Sequence, residues 1–296
     1  MKRLLTFAGV LFALSAGAQQ DMENVMIEPV PVADGLHMLV GAGGNIGLFA
    51  GEDGVFMIDD QFAELSPKIS AAVKELTGGT VGMLVNTHWH FDHTGGNEPF
   101  GEAGAQIFAH DNVRALMSEP QTLSMFGMDL PAAPRVALPV ITFGEDMTFH
   151  INGDTVHARH VPNAHTDGDV ILYFENANAV HTGDVYITLG YPFIDGEHGG
   201  HIDGLINGAR QVLEWADDET KIMPGHGHLS DRAEIQEFHD MLVEARSRVQ
   251  ALLDEGRTPG EIVAAAPLAD LDERWSSGFI DGQGFTRAIV AGLSGG

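Results

Sequence analysis

The sequence contains no cysteine and few residues of positive charge. The absence of cysteine excludes disulfides, thiolate nucleophiles, cysteine-ligated zinc, iron–sulfur clusters and lipid attachment through a thiol. Only 15 lysines and arginines stand against 42 aspartates and glutamates, which makes the formal net charge −27 at pH 7. Because nucleic-acid binding depends on cations that meet phosphates, this balance argues against a nucleic-acid partner.

Long apolar runs are also scarce, and the amino terminus carries the one that matters. It combines two cations, an apolar run and a small-x-small cleavage pattern: Lys2, Arg3, 4–14 and Ala16-Gly17-Ala18. This pattern predicts a secretory signal peptide over 1–18, and the alternative is an N-terminal membrane anchor. The run is shorter than the roughly 20 residues that a spanning helix needs. We therefore expect a periplasmic or secreted protein, with 19–296 as one domain and no membrane association after cleavage.

Short apolar strands alternate with segments of helical spacing along the chain. Strands are predicted at 25–32, 36–40, 46–50, 55–58, 81–85, 106–109, 148–151, 154–160, 170–174 and 179–182. Helices are predicted at 67–76, 97–103, 206–216 and 231–255. This alternation indicates an α/β layered fold. The segment 117–139 has no clear period, and it is either a long flap or helical insert or an irregular connection that covers the core.

The fifteen histidines are the most informative residues, because four potential metal ligands lie together directly after the strand 81–85: His88, His90, Asp92 and His93. The spacing of His88 and His90 puts two imidazoles on one side of an extended segment. Asp92 and His93 come as the chain turns into a helix. One short loop can thus serve two metal ions about 3.5–4 Å apart. Imidazole and carboxylate suit zinc and tolerate iron or manganese.

This H-x-H-x-D-H array resembles the signature of the metallo-β-lactamase superfamily, and the resemblance extends over about 25–230. The family's later motifs are similar to 163–169, 180–184 and 224–227 in this sequence. The resemblance implies a four-layer αβ/βα sandwich of two similar halves, about 25–147 and 148–296, with the break near 144–153.

The resemblance also implies a cofactor of two Zn²⁺ ions per chain, with Fe or Mn as possible substitutes. The first zinc would be held by His88, His90 and His165. The second would be held by Asp92, His93 and His226, and Asp184 would bridge the two ions. Because both halves supply ligands, the metals would also pin the halves together.

Other polar residues are candidates for support or for substrate contact. Asp59, near the end of an early strand, would orient a ligand histidine, or else it is a solvated loop carboxylate. His181 is a candidate for a similar role, with a core position as the alternative. The glycine-rich loop 190–201 and its surroundings would supply a substrate pocket, from Tyr191, His198, His201 and His228.

The natural chemistry of such a site is hydrolysis of an amide, ester, lactone or thioester of a small molecule by a metal-bound hydroxide that Asp92 orients. β-Lactam hydrolysis is the first specific expectation. An aspartate at the bridging position instead resembles glyoxalase II and lactonases, and 59–62 and 278–280 look like exported hydrolases of this fold. The alternatives are a mononuclear iron enzyme that oxidises a persulfide, a metal-binding protein without turnover, and an RNA-processing nuclease, which conflicts with export and the acidic charge.

Overall fold

The computed structural model describes residues 22–295, so the predicted signal peptide lies outside the described residues. Residues 22–143 form nine strands: β1 Glu28–Ala33, β2 Leu36–Val40, β3 Ile46–Gly51, β4 Gly54–Ile58, β5 Val81–Val85, β6 Gln106–His110, β7 Gln121–Leu123, β8 Met128–Leu130 and β9 Ile141–Phe143. Seven of them form one sheet in the order β1-β2-β3-β4-β5-β6-β9. Strands β1 to β4 pair antiparallel, whereas β4, β5, β6 and β9 run parallel.

A second sheet begins after β9, from which two residues separate its first strand. Its strands are β10 Asp146–Ile151, β11 Asp154–Val161, β12 Asp169–Phe174, β13 Ala179–His181 and β14 Lys221–Met223, in that order across the sheet. The first four strands pair antiparallel, and β13 and β14 pair parallel. The change of sheet therefore falls between 143 and 146.

Helices cover the outer faces of both sheets. They are α1 Ser66–Thr77, α2 Phe91–Thr94, α3 Asn97–Glu102, α4 Asp111–Met117, α5 Ile202–Trp215, α6 Arg232–Asp254, α7 Pro259–Ala264, α8 Asp272–Trp275 and α9 Gly282–Ser294. Within 22–295, no helix combines the length and the hydropathy that crossing a bilayer needs.

Three apolar layers hold the sandwich together. Between the sheets, Phe56 packs edge-on against Phe149, with ring centroids 5.0 Å apart. Outside the first sheet, Leu48 belongs to the apolar cluster that includes the buried face of α1. Outside the second sheet, Ile171 lies in the cluster that α5, α6 and α9 complete. This helix–sheet–sheet–helix order confirms the predicted four-layer αβ/βα sandwich.

The ends of the long helices follow from local capping. Asp231 accepts hydrogen bonds from the backbone N–H groups of Ala233 and Glu234, so α6 begins at Arg232 as the capping pattern predicts. The His201 imidazole accepts from the N–H of Asp203, so α5 begins at Ile202, four residues before the predicted start. The sequence signals missed α4, β14 and the helices after α6, because these elements are short or carry glycine inside the helix.

The segment 117–139 contains the small antiparallel hairpin of β7 and β8 rather than a helical insert. Leu123 and Leu138 are buried here with Trp89, in a separate apolar cluster. The segment therefore covers the loop after β5, which lies at the site. We call 117–139 the insert.

Candidate metal centre

The predicted ligand residues lie at one edge of the sandwich because of the strand directions. The parallel pairs β4–β5 and β13–β14 bring their carboxyl ends to this edge, where open α/β sheets form their sites. His88 and His90 follow β5, and the other ligands follow at the start of α2, before β12, after β13 and after β14: Asp92, His93, His165, Asp184 and His226. Seven residues from distant parts of the chain therefore meet in one place.

The first group of possible metal ligands consists of His88, His90 and His165. The Nδ1 of His90 lies 2.8 Å from the Nε2 of His165. The Nε2 of His88 is buried and has no hydrogen-bond partner among the described residues. A buried imidazole nitrogen without a partner costs free energy unless something binds its lone pair. Three imidazoles that share a point in space fit a divalent metal ion.

The second group consists of Asp92, His93 and His226. The Nε2 atoms of His93 and His226 lie 3.2 Å apart, and the Nε2 of His226 lies 3.2 Å from Oδ2 of Asp92. About a quarter of each of the Asp92 and His226 side chains is exposed. This group therefore meets solvent, whereas the first group is buried.

Asp184 lies between the two groups. Its Oδ1 is 3.2 Å from the Nε2 of His93, and its Oδ2 is 3.6 Å from the Nε2 of His165 and 3.5 Å from that of His226. The chain backbone approaches closely on both sides, because a Cβ on Gly225 would lie 2.0 Å from Asp184 and one on Gly44 would lie 2.1 Å from His93. Glycine at these two positions makes room for the ligands.

Burial keeps two imidazoles of the first group, those of His88 and His165, neutral. Desolvation, with the nearby His93 and His165, holds the pKa of His88 well below its usual range. Desolvation also lowers the pKa of His165 to about 4, although Asp184 opposes it. Neutral imidazole is the form that binds metal, so these two side chains are ready to bind metal near pH 7.

Carboxylates reverse this effect in the second group. Burial would lower the pKa of His226, but Asp184 and Asp92 raise it to about 9. The same carboxylates, with Asp59, hold the pKa of His93 well above its usual range against the effect of burial. Burial would raise the pKa of Asp92, yet His93 and His226 lower it to about 2. The second group therefore attracts positive charge, and protons compete with a metal ion for the imidazole nitrogens of this group.

Asp59 supports a ligand from behind. Its Oδ2 accepts a hydrogen bond from Nδ1 of His93 at 2.8 Å, and its two oxygens also accept from the N–H and hydroxyl of Thr87. The side chain is fully buried, which excludes the alternative of a solvated carboxylate. Its φ of +60° is uncommon for a residue other than glycine, and the surrounding hydrogen bonds hold it.

Asp195 supports the first group in the same way, and sequence reasoning missed it. Its Oδ2 accepts from Nε2 of His90 at 2.8 Å and from Nδ1 of His198 at 2.7 Å. In the same loop, the carbonyl of Phe193 accepts from Nδ1 of His165 at 2.9 Å. The only sequence signal for this role is the position of Asp195 within the loop 190–201.

The residues predicted to form a substrate pocket lie in different parts of the structure. The Tyr191 ring is buried against Phe285 and its hydroxyl donates to Asp272, so it packs in the helical layer and does not line an opening. His201 caps α5, and His228 is exposed and pairs with Glu234. His198 alone reaches the centre, through Asp195 and its ring contact with Trp89.

His181 is buried at the end of β13, where it pairs with β12 and β14, and its hydrogen bonds go to backbone rather than to a ligand side chain. Its Nε2 donates to the carbonyl of Asn45, and its Nδ1 accepts from the N–H of Gly183. It holds the turn that carries Asp184 and acts on the centre only through the backbone.

Known proteins resemble this chain in sequence and in fold. A family model, the metallo-beta-lactamase superfamily, matches residues 39–228. A hydroxyacylglutathione hydrolase from Pelagibacter ubique is 26% identical over 174 residues, which are 58% of this chain and 62% of that protein. The chain thus spans less than two thirds of this relative's length.

Solved structures agree on the architecture. A metallo-beta-lactamase from Pontibacter korlensis superposes with a TM-score of 0.61 at 16% identity, covering 74% of this chain and 99% of that one. The sec-alkylsulfatase Pisa1 from a Pseudomonas species superposes with a TM-score of 0.67 at 17% identity, covering 90% of this chain and 50% of that one. With the matching family model and the ligand groups above, these likenesses lead to one conclusion: the chain belongs to the metallo-beta-lactamase superfamily.

Proposed function

We propose that this protein is a metal-dependent hydrolase that cleaves an ester, thioester, lactone or amide bond of a small molecule at the His/Asp centre. The observation that carries the proposal is the pair of ligand groups joined by Asp184, with the unpartnered Nε2 of His88 aimed into the first group. The cofactor that we propose is two zinc ions per chain. The first would be held by His88, His90 and His165, the second by Asp92, His93 and His226, with Asp184 shared.

Bound divalent metals would polarise the carbonyl and lower the pKa of the attacking water. The chain's own residues contribute by positioning the reacting groups and by holding protons. Asp92 is ionised and partly exposed, so its carboxylate can accept a hydrogen bond from an attacking water and orient it. Asp59 and Asp195 fix the rings of His93 and His90, which keeps the ligand nitrogens turned inward.

The relative named hydroxyacylglutathione hydrolase supports a carbonyl substrate, and β-lactams belong in the same chemical class of acyl compounds. The decisive test is metal analysis of the purified protein, followed by assay of one ester, one lactone, one thioester and nitrocefin. We expect about two zinc ions per chain and turnover of at least one substrate. A protein loaded with zinc that leaves all four intact would contradict the proposal.

Elemental analysis also separates the main alternatives. One iron per chain with oxygen-dependent persulfide oxidation would favour a dioxygenase. Tight zinc binding without any turnover would favour a metal-binding protein. The sharing of Asp184 and the partial exposure of the second group argue for catalysis, because structural zinc sites are closed by four ligands.

We further propose that the mature protein is exported, which rests on the amino-terminal pattern of the sequence alone. N-terminal sequencing of the protein from its native host tests this proposal. A mature chain that begins at Gln19 is expected, and an intact Met1 on the protein recovered from the cytoplasm would contradict export.

A further inference from the structure

Phenylalanines from separate parts of the chain meet at the mouth of the metal centre. They come from the loop after β4, from α2, from the insert, from the loop after β13 and from the segment before α9: Phe62, Phe91, Phe126, Phe193 and Phe279. We call this set the aromatic mouth. The metal chemistry proposed above uses none of these side chains.

The aromatic mouth begins at the ligands and leads outward. The Phe193 ring centroid lies 5.6 Å from that of His165 and 5.9 Å from that of His90. Phe126 of the insert lies 5.7 Å from Phe193, and Phe279 stacks on Phe126 at 5.2 Å. Phe91 contacts Phe126 from the other side at 6.5 Å. A continuous apolar wall therefore joins the reacting centre to the surface.

The outer end of this wall is open to solvent. Phe279 is 46% exposed, and Met125, next to Phe126 in the insert, is 52% exposed. A cleft of about 120 Å³ lies beside them, between the insert and the loop after β13. Clustered exposed apolar side chains at the entrance of a site mark a binding surface rather than ordinary surface composition.

Lysine and arginine are missing from every segment that forms the centre and its mouth. No lysine or arginine occurs in 41–45, 59–62, 86–96, 121–130, 163–169, 184–201, 224–228 or 276–281. The nearest arginines in sequence are engaged elsewhere. Arg274 pairs with Glu237 and Arg159 pairs with Asp146, whereas Arg232 donates to the carbonyls of Leu213 and Ala216. The cleft at the mouth is lined by two carboxylate residues instead, Asp195 and Glu197.

These two observations select a class of substrate. An anionic group on the substrate needs arginine or lysine to replace its hydration, and the mouth supplies none. Binding of an apolar chain or ring is stabilised in proportion to the apolar surface of the phenylalanines that it covers. Substrates with a free carboxylate, such as β-lactams and glutathione thioesters, therefore match the mouth poorly.

We propose that the aromatic mouth binds the apolar acyl group of an uncharged carboxylic ester or lactone, which the centre hydrolyses. Water adds across the acyl–oxygen bond, and a carboxylic acid and an alcohol leave. This proposal rests on the hydrolase function proposed above and narrows its substrate. The mouth is continuous with the ligands His90 and His165, which favours a substrate as its occupant over a second copy of the chain.

The test uses matched substrates with the zinc-loaded protein. The p-nitrophenyl esters of acetic and hexanoic acids differ only in chain length, and the monoester of adipic acid places a carboxylate at the end of the six-carbon chain. One buried methylene contributes about fourfold in affinity, so the hexanoate should exceed the acetate in kcat/KM by at least about tenfold. It should exceed the adipate monoester by a similar factor.

Variants connect this preference to the mouth. Phe279→Ala and Phe126→Ala should each reduce the hexanoate-to-acetate ratio several-fold, whereas Phe279→Leu should retain most of it. Phe279→Arg should raise kcat/KM for the adipate monoester relative to the hexanoate. Val243→Ala removes a similarly exposed apolar side chain from α6 and should leave all ratios unchanged.

The outcomes separate this inference from the function on which it rests. Turnover of the esters with a preference for the adipate monoester, or for sec-octyl sulfate, would overturn the uncharged substrate and leave the hydrolase intact. Ratios that the phenylalanine variants do not change, together with a loss of dimer in light scattering, would make the mouth an interface between copies and overturn the proposal. A zinc-loaded protein that cleaves nothing in either panel overturns both.

Discussion

The two ligand groups differ in charge and in exposure, although they lie side by side. The first group contains three buried imidazoles and no carboxylate of its own, and burial lowers the pKa values of His88 and His165. The second group contains Asp92 and faces solvent, and its carboxylates raise the pKa values of His93 and His226. The comparison shows that one fold can place a buried site of imidazoles beside a site whose carboxylates attract either a proton or a metal ion.

The two groups also receive support from opposite halves of the chain. Asp59, after β4, holds His93 of the second group, and Asp195, after β13, holds His90 of the first. Each group thus contains or contacts residues of both sheets. The centre is therefore an interface between the halves as well as a site.

The largest effect is expected where the groups meet. Asp184→Ala removes the carboxylate that contacts both groups, so activity should fall by at least about a hundredfold. Metal content and melting temperature should fall as well, because metal bound to the folded state stabilises it. Exposed Asp218→Ala is the matched control and should change neither. An inactive Asp184→Ala variant with full metal content and an unchanged melting temperature would show that this carboxylate does not bridge.

Single ligand substitutions should separate the groups. His165→Ala breaks the buried group and His226→Ala breaks the exposed group, so each variant should lose about one metal per chain and retain the other. Metal analysis after dialysis, with titration of the residual site, measures this. Loss of both metals in both variants would mean that the groups form one inseparable site.

Substitution of the supporting carboxylates should separate the two groups in the same way, with a smaller effect on metal binding. Asp195→Asn should weaken the metal of the first group and Asp59→Asn that of the second, each by about 10–100-fold in affinity. Competition with a chromophoric chelator would measure both affinities. The asparagine variants keep the size of the side chain, so equal weakening of both metals by either one would contradict the assignment of one support to each group.

The smallest contrast concerns pH. The raised pKa of about 9 for His226 means that this imidazole is protonated near neutral pH without metal, so metal must displace a proton. The pKa of His93 is raised as well, so metal displaces a second proton there, and affinity at the second group should fall by about tenfold for each displaced proton as pH drops from 8 to 7. The first group, with His165 near 4, should show little change over that interval. Metal titrations at the two pH values test this, and equal slopes at both groups would refute it.

Much of the architecture was predictable because its signals are local. The capping residues of α6 and the apolar spacing of α1 lie within a few residues of the elements that they define. The hairpin of the insert was not predictable, since its strands are three residues long and Gly127 sets the turn between them. Tyr191 was misplaced because loop sequence does not say which way a side chain turns.

By itself, the sequence determined the superfamily, the layered α/β class and the ligand types that cluster at His88–His93. The superfamily follows from the resemblance of the motifs, and the clustering of the ligand types follows from the short-range geometry of a strand, a turn and a helix. Only the tertiary structure decided that Asp195 holds His90, 105 positions away, and that Phe126, Phe193 and Phe279 form one apolar mouth. The physical reason is that these contacts depend on the packing of two sheets and their loops, which no local spacing encodes.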